Sequence, residues 1–222
     1  MDMEIVKQYT KIYIELLSYE TTGSKQFQLE KLKKLDAANT ISSCLYAINK
    51  GNRFDYLNFL YKNDVITEQE CADTIYSIWT MQERFYNCGI AKTKMINFMK
   101  LAKKTFVLPD AINELSDNDM LTIYRGAKYN DYKGLSWTIE KQVAIWFARR
   151  FSKNSDKCYI FTGKLLKRDI IAYFNGRKEA EIVCDYRKIN EIKCEEMIME
   201  KQDDSSIFQM PKTIELACHQ QT

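Results

Sequence analysis

The chain has 222 residues, with 33 Lys+Arg against 30 Asp+Glu, a formal net charge of +3 and a hydrophobic fraction of 45%. That length suits one domain with a real core, or one domain with a small extra lobe, and the hydrophobic fraction excludes wholesale disorder. Charges of both signs are mixed along the chain without a long basic block, so charge alone does not indicate a nucleic-acid partner.

No apolar run approaches the ~20 residues that a bilayer span needs. The first seven residues, Met1-Asp2-Met3-Glu4-Ile5-Val6-Lys7, are charged and lack an apolar secretory core. A cytoplasmic protein without a membrane partner is expected. Cys44, Cys71, Cys88, Cys158, Cys184, Cys194 and Cys218 are scattered, form no Cys-x-x-Cys pair, and share the chain with one histidine, His219. A disulfide framework and a Cys/His zinc site both read poorly, so the thiols are expected reduced and core-filling, with no metal.

The pattern is helical up to about residue 107 and then changes. Residues 4–19 carry Ile5, Tyr9, Ile12, Leu16 and Leu17 at helical spacing. Residues 26–49 continue with Phe27, Leu29, Leu32, Leu35, Ala38, Ile41, Leu45 and Ile48, stopped by Gly51. Thr67-Glu68-Gln69-Glu70 is a capping box opening a helix with Ala72, Ile75, Ile78, Trp79 and Phe85 that ends near Gly89. A last helix near 91–104 carries Met95, Phe98 and Leu101. These stripes read as core.

Phe106-Val107-Leu108-Pro109 breaks the helical pattern. Strand-like runs follow at Leu121–Tyr124, Gly134–Trp137, Tyr159–Thr162, Ile170–Tyr173 and Glu181–Cys184. Between them lies one helix, which Thr138 can cap, with Val143, Ala144, Phe147, Ala148 and Phe151 as its buried stripe. The expected fold is α+β: a helical lobe (1–107) packed on a split, mainly antiparallel β core (108–205), as one compact unit. A tail follows at 206–222, its last residues expected to be disordered.

Three stretches of the second half stand out: Tyr124-Arg125-Gly126, Ser136-Trp137-Thr138 and Glu179-Ala180-Glu181. Strand residues i and i+2 share a face, so Ser136 and Thr138 are expected to present two hydroxyls to one cleft. Glu179 and Glu181 are expected to present two carboxylates, provided the chain is extended there. Singly, each stretch is more often ordinary strand composition or a solvated charge pair.

Their order resembles the Arg–Ser–Glu class of mono-ADP-ribosyltransferases, which includes clostridial toxins, vertebrate ectoenzymes and phage enzymes. The matches are Arg125 in Tyr-Arg-Gly, Ser136 in Ser-Trp-Thr, and Glu181 in Glu-Ala-Glu-Ile-Val, and the segment Val143–Ala148 after the serine strand is also similar. The likeness spans about residues 120–185. The chain departs from the family in the eleven-residue separation of Arg125 and Ser136, which requires a non-helical connection, and in having Trp137 and Thr138 after the serine.

The resemblance implies an α+β core of ADP-ribosyltransferase type and NAD⁺ as co-substrate. It implies catalytic roles for Glu181, Glu179, Arg125 and Ser136, and NAD⁺ contacts from Arg125, Gly126, Ser136, Thr138 and Glu181. Tyr173 and Phe174, with Glu179, stand where the family reads its acceptor. Glutamate at 179 goes in the family with transfer to arginine. Arg125 is assigned to the pyrophosphate, for which a guanidinium fork is the natural partner, and Gly126 to a close backbone approach to nicotinamide. Nicotinamide leaves as a neutral group, so fixed negative charge near C1′ is needed instead of a general acid. The expected acceptor is a macromolecule, either protein arginine or, as for some toxin and antiphage members, RNA or DNA. Lys31, Lys33 and Lys34, or Lys100, Lys103 and Lys104, are candidate basic patches for the latter. An antitoxin is a further expected partner, and an inactive binding module that kept the fold is the remaining alternative.

Overall fold

The computed structural model describes residues 2–18, 25–81, 92–101, 107–152 and 157–198. It forms two compact units, Met1–Thr105 and Phe106–Thr222. The tail at 206–222, Phe85, Gly89, Phe106, Lys103 and Lys104 lie outside the described residues.

The first unit is helical: α1 (Met3–Ser18), α2 (Lys25–Asp36), α3 (Ile41–Cys44), α4 (Arg53–Lys62), α5 (Glu68–Met81) and α6 (Lys92–Leu101). The buried face of α1 differs from the one predicted. Ile5, Ile12 and Leu16 are exposed, whereas Val6, Thr10 and Tyr13 are buried. Thr10 can be buried because its hydroxyl donates to the Val6 carbonyl at 2.6 Å and lies 2.7 Å from the Tyr56 hydroxyl. The Thr10 hydroxyl is thus matched, and Tyr13 packs at a tilt against Tyr56 and Phe59 at ring distances of 5.4 and 5.2 Å.

The single helix predicted over 26–49 is broken. It stops at Asp36, and Thr40 opens α3 through a capping box in which the Ser43 N–H donates to Thr40 Oγ1 at 3.0 Å and the Thr40 N–H donates to Ser43 Oγ at 2.9 Å. Helix α4, which was not predicted, follows Gly51. Its first residue, Arg53, is buried and donates from Nε to the carbonyls of Leu45 and Ile48 at 3.1 and 3.4 Å. It ends in a left-handed residue, Asp64 (φ 55°), where the Val65 N–H bonds the Leu60 carbonyl at 3.1 Å. The capping box at α5 forms as predicted: the Glu70 N–H donates to Thr67 Oγ1 at 3.2 Å and the Thr67 N–H to Glu70 Oε2 at 2.8 Å. Ala72, Ile75, Ile78 and Trp79 are buried, as are Met95, Ile96 and Met99 of α6.

The second unit holds a short helix α7 (Asp110–Asn113), strands β1 (Met120–Ala127) and β2 (Ser136–Thr138), helix α8 (Lys141–Phe151), then β3 (Lys157–Leu166), β4 (Ile170–Phe174), β5 (Glu181–Cys184) and β6 (Asn190–Ile198). The protein is thus α+β. The six strands form one continuous sheet, β4-β5-β2-β1-β3-β6, in which every neighbouring pair is antiparallel. The predicted split is replaced by a narrow waist: β2 has three residues and joins β1 through the Tyr124–Thr138 pair. Strand β6 was not predicted because its sequence, NEIKCEEMI, is charged and exposed, as suits an edge strand.

Residues facing each other across antiparallel strands share a sheet face. One face carries Ile123, Trp137, Phe161 and Ile182 in a buried cluster with Ile112, Leu165 and Ile189. Helix α8 covers part of the other face, burying Val143, Ala144 and Ala148, the last against Cys158 and Ile160. A β-carbon on Gly126 would lie 1.9 Å from the Ala144 carbonyl oxygen, so glycine is what lets α8 sit directly on β1.

Candidate functional site

Three of the predicted residues meet where β2 pairs with β5. Thr138 lies opposite Glu181 and Ser136 opposite Val183. The Ser136 hydroxyl donates to Glu181 Oε1 at 2.5 Å, and the Glu181 side chain is almost wholly buried. A buried carboxylate needs such partners, since leaving one unmatched is costly. On β1 the residue opposite Thr138 is Tyr124, which is half-buried. Tyr124 was not among the predicted site residues, although the alternation Ile123-Tyr124-Arg125 assigns it to the face opposite Arg125.

Glu179 reaches the same place by a route the sequence did not suggest. The chain is not extended before β5: Lys178 and Ala180 have φ values of 57° and 43°. The turn starts at Asn175, whose carbonyl accepts from the Lys178 N–H at 2.9 Å and whose Oδ1 accepts from the Ala180 N–H at 3.1 Å. This left-handed turn, not strand alternation, brings the two carboxylates together. Both are turned to one guanidinium: Arg177 Nη2 lies 2.7 Å from Glu179 Oε2 and 3.9 Å from Glu181 Oε2. Glu179 and Glu181 are buried, while the Arg177 side chain is 42% exposed.

Thr138 braces the turn instead of presenting a hydroxyl to a cleft. It is buried, donates to the Glu179 carbonyl at 2.8 Å and accepts from the Glu140 N–H at 3.0 Å. Nor does it cap α8 in the predicted way: Glu140 is the N-cap residue, and its side chain makes no capping bond. The connection from Lys128 to Leu135 is non-helical, as the short spacing requires.

Arg125 takes a different position from the one expected. It lies opposite Phe161, on the face of the buried cluster and away from Glu181. Its Nη1 donates to the Ser136 carbonyl at 2.7 Å. The guanidinium lies against Gly134, where a β-carbon would come within 2.0 Å of Cζ. Gly134 is therefore a site residue that the sequence reading missed, and the clue was a glycine two residues before the key serine. Gly126 packs directly under α8.

Tyr173 and Phe174 are in β4, before the turn and not in it. Phe174 is 3% exposed, opposite Glu181, which leaves it no surface for reading an acceptor. Tyr173 is half-buried, and its phenol pKa is raised by burial and then by the neighbouring Glu140 charge. Arg149 and Arg150 are in the last turn of α8, where cations suit the helix dipole, and Arg150 stacks over Trp146 at 5.0 Å.

Cys44, Cys71, Cys158 and Cys184 are buried free thiols and Cys194 is an exposed one. Burial pushes the Cys71 thiol up to about 12 and raises the Cys184 thiol as well. Among the described residues, no group of three or more His, Cys, Asp or Glu side chains is placed to hold a metal ion, and no helix is long and apolar enough to cross a membrane. An open hollow whose walls include Thr40, Ser43, Tyr46, Tyr76 and Ser77 belongs to the helical unit and contains none of the predicted site residues.

Chemically, the β2–β5 junction offers two fixed carboxylates, one of them oriented by a hydroxyl, beside an accessible cation. Compared with protein-family models, curated proteins and solved structures, the chain matches none.

Proposed function

We propose that the protein is a mono-ADP-ribosyltransferase that cleaves NAD⁺ and transfers ADP-ribose to a macromolecular acceptor, with arginine as the acceptor group. The observation that carries this reading is the Ser136–Glu181 hydrogen bond beside Glu179. A serine hydroxyl fixes one buried carboxylate while a second, two residues upstream, already binds a guanidinium. The donor set fits NAD⁺ as a substrate, because breaking its C1′–nicotinamide bond expels a neutral group and leaves a cationic ribosyl centre. Glu181 supplies fixed negative charge there and accepts a hydrogen bond from the ribose 2′-OH. Ser136 holds Glu181 in register. Glu179 orients the incoming guanidinium and takes its proton.

Arg125 enters this reading as a positioning residue. Its bond to the Ser136 carbonyl fixes the backbone that carries the catalytic hydroxyl. The test is to incubate the purified protein with labelled NAD⁺ and a cell lysate, then treat portions with protease or nuclease. Label released by protease alone supports a protein acceptor, and label released by nuclease alone moves the acceptor to nucleic acid. Absence of both label transfer and nicotinamide release leaves an inactive binding module.

A further inference from the structure

The guanidinium of Arg177 stands where the proposed chemistry puts the acceptor. It is 2.7 Å from Glu179, the carboxylate assigned to orient and deprotonate an arginine, and 3.9 Å from Glu181, the carboxylate assigned to the ribose. Arg177 is on the turn that carries Glu179 and leads into Glu181, so its reach is fixed by the same backbone, and its partial exposure leaves room for an adduct. A nucleophile held this close to a reacting centre gains the rate advantage of an intramolecular step.

We propose that Arg177 is a self-modification site: the protein transfers ADP-ribose to its own Arg177 and thereby closes the acceptor position. The inference rests on the transferase reading. The C1′–nicotinamide bond of NAD⁺ breaks and nicotinamide leaves with the electron pair. A C1′–N bond forms to a terminal nitrogen of Arg177, and the proton lost from that nitrogen passes to Glu179. The product carries a bulky anionic group between the two glutamates, so an external arginine can no longer pair with Glu179.

The experiment uses the full chain with NAD⁺, followed by digestion and fragmentation mass spectrometry. One ADP-ribose on Arg177 is expected, formed at a rate independent of protein concentration. Glu181→Gln, which keeps Arg177, is expected to stay unmodified even when mixed with wild type, because the step occurs within one chain. With added arginine as acceptor, wild-type transfer should slow as Arg177 fills, while Arg177→Lys should keep a constant rate over the same interval. NAD⁺ cleavage or arginine modification with Arg177 unmodified overturns this proposal and leaves the transferase reading standing. Modification of Glu181→Gln by wild type overturns the intramolecular step. No nicotinamide release from wild type overturns both the proposal and the reading beneath it.

Discussion

The Arg125 guanidinium rests on Gly134 so closely that a β-carbon there would come within 2.0 Å of Cζ. From that position Nη1 reaches the Ser136 carbonyl at 2.7 Å. Gly134→Ala must therefore dislodge the guanidinium. The expected result is a loss of about 1–3 kcal/mol of stability, the scale for losing a charge-assisted hydrogen bond in a packed site. Arg125→Lys, which keeps charge but loses the planar fork, should lose a similar amount, and the double variant little more than either single one. Urea unfolding of the three variants checks this; fully additive losses would separate the two residues.

Ser136→Ala removes the donor to Glu181 and leaves a buried carboxylate short of a partner. Stability should fall by about 1–3 kcal/mol. Nicotinamide release should fall by ~10²-fold, because the carboxylate loses its fixed orientation. Thr138→Val should act otherwise: it frees the Glu179 carbonyl and the Glu140 N–H, so its main effect is on the turn and on acceptor transfer. Parallel assays of nicotinamide release and transfer for both variants check the contrast.

Glu179→Gln separates acceptor chemistry from NAD⁺ cleavage. If Glu179 handles the acceptor, transfer to arginine falls by on the order of 10²-fold, while hydrolysis of NAD⁺ by water falls much less. The Arg177–Glu179 ion pair supplies the competing structural role, and in that case the two rates fall together.

In the helical unit the capping box makes a pH prediction. The Glu70 carboxyl titrates below its ordinary value, chiefly because the Thr67 backbone N–H bonds it; burial opposes this, and the Thr67 hydroxyl adds to it. A depressed folded-state pKa stabilises the fold above the unfolded-state value, and that contribution disappears as pH falls through the folded-state value. Thr67→Ala should cost about 1 kcal/mol near neutral pH. The stability gap between wild type and Glu70→Ala should narrow below a pH of about 4, which denaturant titrations at several pH values measure.

What the sequence made legible follows from period and chemistry. The α5 capping box, the buried stripe Ala72–Trp79 and the β5 run Glu181–Cys184 declare themselves locally. The family resemblance grouped Ser136 with Glu181, but their direct hydrogen bond depends on the β2–β5 pairing, which spacing does not give. Features set by tertiary partners were not legible. The buried face of α1 depends on Thr10 finding Tyr56. The convergence of Glu179 with Glu181 depends on a left-handed Ala180, a conformation that an alanine does not advertise. Strand alternation does place Arg125 opposite Tyr124, so the face it occupies was readable, although its bond to the Ser136 carbonyl was not.

The proposed role of Glu181 as the catalytic carboxylate is tested by nicotinamide release from NAD⁺ by Glu181→Gln alongside wild type. The amide keeps the shape and can still accept the Ser136 hydrogen bond, so the melting temperature should change little. Release by wild type and none above background by the variant are expected. Nicotinamide release by the variant at the wild-type rate would remove Glu181 from the chemistry.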